Sequence, residues 1–131
     1  MKKINGILLS TTTNSCLAVY IYKSPNEYCR QLLTTDIGIM NVKVDGKTYA
    51  LVYDSEAYNK AYRQTSVETT NYEVVAVGNV LVFGIDTDKE ELTDLNKEDM
   101  KIILDKVKTR TFGEELQPIL FIDGSDTSPS C

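Results

Sequence analysis

Between Tyr72 and Ile85 the chain reads Tyr-Glu-Val-Val-Ala-Val-Gly-Asn-Val-Leu-Val-Phe-Gly-Ile, apolar almost throughout and rich in β-branched residues. Such a run is stable where both of its faces are covered, which suits the centre of a sheet with other elements packed above and below. From Val74 to Ile85 it is the longest apolar run in the chain, well short of the ~20 residues that a membrane helix needs. Gly78-Asn79 interrupts it, either as a two-residue hairpin turn joining two strands or as a bulge within one.

The remaining segments supply partners for that strand. Ile4 to Leu9 and Cys16 to Lys23 read as two strands around a Thr/Asn linker, because Ala18, Tyr20 and Tyr22 alternate with Leu17, Val19 and Ile21; they can pair as a hairpin. Ser24-Pro25-Asn26-Glu27 carries a cap, a proline suited to the first helical position and a carboxylate placed to complete a capping box. It predicts a helix through about Leu33. Ile39 to Tyr53 holds two short strands about Asp45-Gly46, a dipeptide that supplies the positive φ angles of a tight hairpin. Asp54 can cap a short helical piece, Ser55 to Tyr62, and the Gln-, Thr-, Ser- and Asn-rich stretch after it reads as a loop and a candidate working surface.

Asp86 to Asn96 is acidic, and Asn96 then caps a second helix. Met100, Ile103, Leu104 and Val107 fall on one face, with Glu98 and Asp99 in the first turn and Lys106 and Lys108 in the last, as the helix dipole favours. Pro118 to Ile122 reads as a final strand, and no internal repeat appears. Together these elements predict one domain of α+β class over residues 1–123, an antiparallel sheet of five or six strands with two main helices packed on it. Residues 124–131 read as a flexible polar tail.

Size and charge narrow the function. A chain of 131 residues can bury roughly two thirds of its unfolded surface without a metal or a disulfide to staple it. A net charge of −5 argues against coating nucleic acid, which needs clustered Lys and Arg. The charge is uneven: Met1 to Thr65 carries eight basic and five acidic residues, and Ser66 to Cys131 six basic and fourteen acidic. Cys16, Cys29 and Cys131 are an odd set at wide spacing, with no C-x-x-C pair and no histidine to complete a zinc site. A reducing, cytoplasmic setting follows. Lys2-Lys3 and the short apolar run after it are broken by Asn5 and Gly6, which argues against an export signal.

Without histidine the commonest general base is missing, and with it the usual partner of a nucleophilic Ser or Cys. No S-x-x-K sequence, Walker sequence or spaced glycine fingerprint is present. We therefore expect no enzyme and no cofactor. Asp86-Thr87-Asp88-Lys89-Glu90-Glu91 offers carboxylates at the first, third and fifth places of a calcium loop, but Glu91 stands where the loop needs Gly and Lys97 where it needs Glu. No metal is expected. The acidic set Asp86, Asp88, Glu90, Glu91, Asp94, Glu98 and Asp99 can imitate a row of phosphates and dock on a basic partner, against the plainer reading of a solvated face. Tyr58, Tyr62 and Arg63, with Arg110 and Phe112, are a second candidate site, since Arg beside aromatics can grip a phosphate and stack a base. The plainer reading is that the rings pack in the core and the arginines lie along it. Cys29 reads as a small buried hydrophobe.

Val44-Asp45-Gly46, Tyr49-Ala50-Leu51-Val52-Tyr53-Asp54 with Glu56, Val77-Gly78-Asn79-Val80-Leu81-Val82 and Leu92-Thr93-Asp94 follow one another in an order that resembles a family of small domains of unknown function from phages, prophages and plasmids of Gram-positive bacteria. The resemblance spans Val42 to Val107, about half of the chain. It departs in the middle, where only Asn59 and Arg63 stand loosely for an Asn-Arg pair after a proline turn. It implies a mobile-element origin and one bulged strand at Gly78, and carries over no catalytic residue. The expectation is a non-enzymatic inhibitor of a host defence system, such as a CRISPR effector, that docks by its acidic surface on a host protein or protein–nucleic-acid complex. The alternatives are an oligomeric sponge for a nucleotide signal and a regulatory or structural accessory domain. Sequence leaves the oligomeric state open.

Overall fold

The computed structural model describes residues 2–57 and 64–124, so the helical piece expected at Ser55 to Tyr62 lies largely outside the described residues, as does the tail beyond Gly124. In chain order the elements are β1 (Lys3–Ser10), β2 (Ser15–Tyr22), α1 (Pro25–Leu32), β3 (Ile37–Val44), β4 (Lys47–Asp54), β5 (Thr65–Thr69), β6 (Val74–Val77), β7 (Val80–Asp86), β8 (Glu91–Thr93), α2 (Lys97–Asp105), β9 (Val107–Phe112) and β10 (Glu115–Ile122). They form one α+β domain with two sheets. The larger has strand order β2-β1-β7-β4-β3, with β8 on the end of β7, and is antiparallel throughout. The smaller runs β6-β5-β10-β9, and its β5–β10 pair is parallel. This second sheet is absent from the sequence reading. No helix among the described residues is long and apolar enough to cross a membrane.

Strand β7 is the covered centre that its composition demands. Leu81 and Phe83 point to one face with Ile4, Ala50, Val52 and the α1 residues Tyr28 and Leu32. Val80 and Val82 point to the other, with Ile7, Leu9, Tyr49 and Leu51, against Val67 and Leu120 of the small sheet and Ile103 of α2. The Phe83 ring lies 5.5 Å from that of Tyr28 and covers the backbone of β1 at Gly6. A Cβ on Gly6 would come within 2.6 Å of the Phe83 ring and 2.7 Å of the Val82 carbonyl, so the glycine marks a close approach of ring to strand.

Gly78-Asn79 is neither a hairpin turn nor a bulge. Gly78, at φ +80, takes the chain from β6 in the small sheet to β7 in the large one. Buried Asn79 fixes the crossing: its side-chain carbonyl accepts from the Thr11 amide at 2.8 Å and its NH2 reaches the Leu32 carbonyl. The polar stretch read as a loop is corrected too, for Thr65–Thr69 is strand β5, largely buried. Its polar groups are satisfied across the sheet and in the turn that follows: Ser66 donates to the Ala76 carbonyl of β6, and Thr69 Oγ1 accepts from the amides of Asn71 and Glu73.

Local signals hold elsewhere. Ser24 accepts from the Glu27 amide with Pro25 at the start of α1, although the Glu27 carboxylate turns outward to Arg30 and Gln31 instead of reaching back. Asp45 and Gly46, at φ 53 and 81, turn the β3–β4 hairpin. Asn96 and Asp99 form a reciprocal capping box on α2. That helix ends at Asp105, so Lys106 and Lys108 are not in its last turn, and Val107 opens β9.

Candidate functional site

Neighbouring strands of the large sheet alternate in direction, so the Lys3 end of β1, the Tyr22 end of β2, the Lys47 end of β4 and the Asp86 end of β7 lie together. The sequence-predicted acidic residues gather at this end. They do not act alike. Asp86 organises the β7–β8 turn, its carboxylate accepting from the amides of Asp88 and Lys89, and Glu90 holds φ 52 there. Asp88 and Glu90 are exposed on the tip, as is Glu98 at the start of α2. Glu91 is paired with Lys23 at 3.3 Å. Asp94 is exposed but tied down, accepting from the Asn5 amide at 2.7 Å and from its side chain.

Asp99 is not part of an acidic surface. It is 5% exposed and accepts from Lys47, from the Tyr49 hydroxyl at 2.9 Å and from the Asn96 amide. Burial alone would raise its carboxyl, but the bonds from Lys47, Tyr49 and Asn96 outweigh it and hold the group below its ordinary 3.8. The same contact, with burial foremost, pushes the Tyr49 phenol well up. A folded value below the unfolded one adds stability that is present above pH 3.8 and is lost as pH falls through the folded value. Asp99→Ala should therefore cost about 1–3 kcal/mol at neutral pH, by removing the bonds that the ionised carboxylate accepts from Lys47, Tyr49 and Asn96. Urea titrations of both proteins from pH 7 to pH 2 should show that gap narrowing below pH 3.8; a gap independent of pH would remove the charge from the account.

Tyr58, Tyr62 and Arg63 lie outside the described residues, and Phe112 lies in β9. Arg110 spans β10 to make two bonds to Glu68 of β5, and that carboxylate, only 4% exposed, keeps the guanidinium firmly charged. Sequence reasoning missed Glu68 because its partner stands 42 residues away.

Clefts open toward both ends of the large sheet. One of about 540 Å3 opens between β3 and the small sheet, lined by Met40, Val42, Val75, Ile122 and Lys43, with Asp123 at its rim accepting from the Asp45 and Gly46 amides. The other, about 350 Å3, lies among Thr11, Thr12, Gln64 and Glu115 at the opposite end, and the Gln64 side-chain carbonyl is buried without a donor among the described residues. Among the described residues no group of three or more Cys, Asp or Glu side chains is placed to hold a metal ion. Cys16 and Cys29 are free thiols; burial raises the first. No protein-family model, curated protein or solved structure matches the chain.

Proposed function

We propose that the chain works by binding, not by catalysis: it docks on a basic surface of a partner protein or protein–nucleic-acid complex in the cytoplasm of a bacterial host. The observation that carries this reading is the acidic tip, on which Asp88 and Glu90 face solvent from a turn that the Asp86 carboxylate ties to the end of β7. A turn whose backbone is held in advance loses little freedom on docking, and its exposed carboxylates speed encounter with an opposite field. Glu98 extends the surface; Glu91 and Asp94 contribute charge while serving internal contacts, and Asp99 drops out. The resemblance to small mobile-element domains adds the context, an accessory product of a phage or plasmid that occupies a host defence complex. The sponge reading gains nothing from Arg110, which is already engaged by Glu68.

The test compares the protein with its Asp88→Asn/Glu90→Gln/Glu98→Gln variant as baits in a Gram-positive lysate at low and high salt. Exposed charges are worth about 0.2–1 kcal/mol each, so a partner held by the native tip should bind the variant roughly ten-fold more weakly, and with a flatter salt dependence. Equal recovery of every retained protein by both baits would discard the acidic tip as the docking surface.

A further inference from the structure

We propose that the open edge of β2 is a pairing surface for a second copy of this chain, giving a twofold dimer in which the two large sheets join through antiparallel β2 strands. Strand β2 ends the sheet, pairing with β1 alone among the described strands. The Lys23 amide donates to the Lys2 carbonyl, and antiparallel bonding alternates along the strand, so Cys16, Ala18, Tyr20 and Tyr22 turn their amides and carbonyls to the open side. Among the described residues only the Tyr22 carbonyl is engaged there, by Ser24. Sheet edges are ordinarily blunted by charge, proline, a bulge or short length. This one has none of these: Ser15–Tyr22 is eight residues of Ser-Cys-Leu-Ala-Val-Tyr-Ile-Tyr in continuous register with β1. Leu17, Tyr20 and Tyr22 are 56%, 61% and 44% exposed, and the Lys3 ammonium lies over both tyrosine rings, 5.5 and 4.7 Å from their centroids.

The sequence of the strand selects the occupant. With the twofold axis at Val19, the outward-bonding residues pair as Ala18 with Tyr20 and Cys16 with Tyr22, each small side chain against a large one, and about six backbone hydrogen bonds form. On the other face Val19 meets Val19 and Leu17 meets Ile21, which extends the apolar layer that packs α1. Ser15 opposes Lys23 in this register. An unrelated strand would have to match the small-small-large-large order by chance; a second β2 matches it by symmetry.

Sedimentation velocity over a concentration series tests this on the whole chain. The native protein should sediment as a dimer. Ala18→Lys, at an exposed position where a charge is a known edge guard, should raise the dissociation constant by at least ~10-fold with an unchanged circular dichroism spectrum. Independently of that variant, Tyr22→Cys combined with Cys29→Ser and Cys131→Ser should be joined into a covalent dimer by a short bis-maleimide, and adding Cys16→Ser should abolish it. A monomer at every concentration, or a dimer indifferent to Ala18→Lys that gives no such cross-link, would overturn the proposal.

Discussion

Replacing Arg110 by alanine is expected to destabilise the protein by about 3–5 kcal/mol, because it leaves the Glu68 carboxylate inside the small sheet with no opposite charge. Glu68 is 3% exposed and lies on β5 beside Phe121 of β10. Taking its partner away leaves a buried carboxylate without compensation. The pair as a whole need not stabilise the fold. Apolar residues of similar volume often replace a buried ion pair without loss, so Glu68→Leu/Arg110→Met should recover most of what Arg110→Ala loses. Urea denaturation of both variants decides the matter. A loss under ~1 kcal/mol for Arg110→Ala would mean that Glu68 is solvated and the pair behaves as a surface bridge.

Phe83→Ala should cost a comparable 3–5 kcal/mol, since the ring is fully buried at the centre of the layer beneath α1 and its removal leaves a cavity. The sharper test couples it to Gly6. In the native background Gly6→Ala drives a methyl group into the ring and toward the Val82 carbonyl, and should destabilise by about 1–3 kcal/mol. With Phe83→Ala already in place the ring is gone, and the same methyl fills part of the void. The double variant should therefore be clearly more stable than the sum of the two losses. Additive losses would show that Gly6 is constrained by the backbone of β7 alone.

Both predictions concern contacts that were only partly legible in the sequence. Elements with local causes were readable. Asp45-Gly46 can hardly avoid a tight turn, Ser24-Pro25 opens a helix, and Asn96 caps one, since each signal acts within four residues. Thr65–Thr69 was not readable, because its polarity is neutralised from afar: Ser66 by Ala76 and Glu68 by Arg110. Val107–Phe112 was hidden behind the helical spacing of Val107 and the lysines that suit a helix end, although Val, Thr and Thr alternate there with Lys and Arg as an edge strand would have them. At Gly78-Asn79 the local chemistry was right and its use was not, for a positive φ serves a change of sheet as well as a turn. The acidic site divides on the same line. Sequence placed seven carboxylates together, and the fold assigned them: Asp88, Glu90 and Glu98 to solvent, Asp86 and Asp94 to the backbone, Glu91 to Lys23 and Asp99 to the core.

Strand β10 carries a consequence for synthesis. It lies between β5 and β9 and supplies Leu120 and Ile122 to the core shared by the two sheets. Every strand of the large sheet precedes it in the chain. A ribosome therefore delivers all of one layer while the middle of the other is still unmade, and at ~5–20 residues per second the growing chain shows Val42, Val44, Leu51 and Val82 to its surroundings until β10 arrives. Closure of the second layer is a late event in the life of each molecule, and a chain broken off before Glu115 would leave the ribosome with an apolar face uncovered.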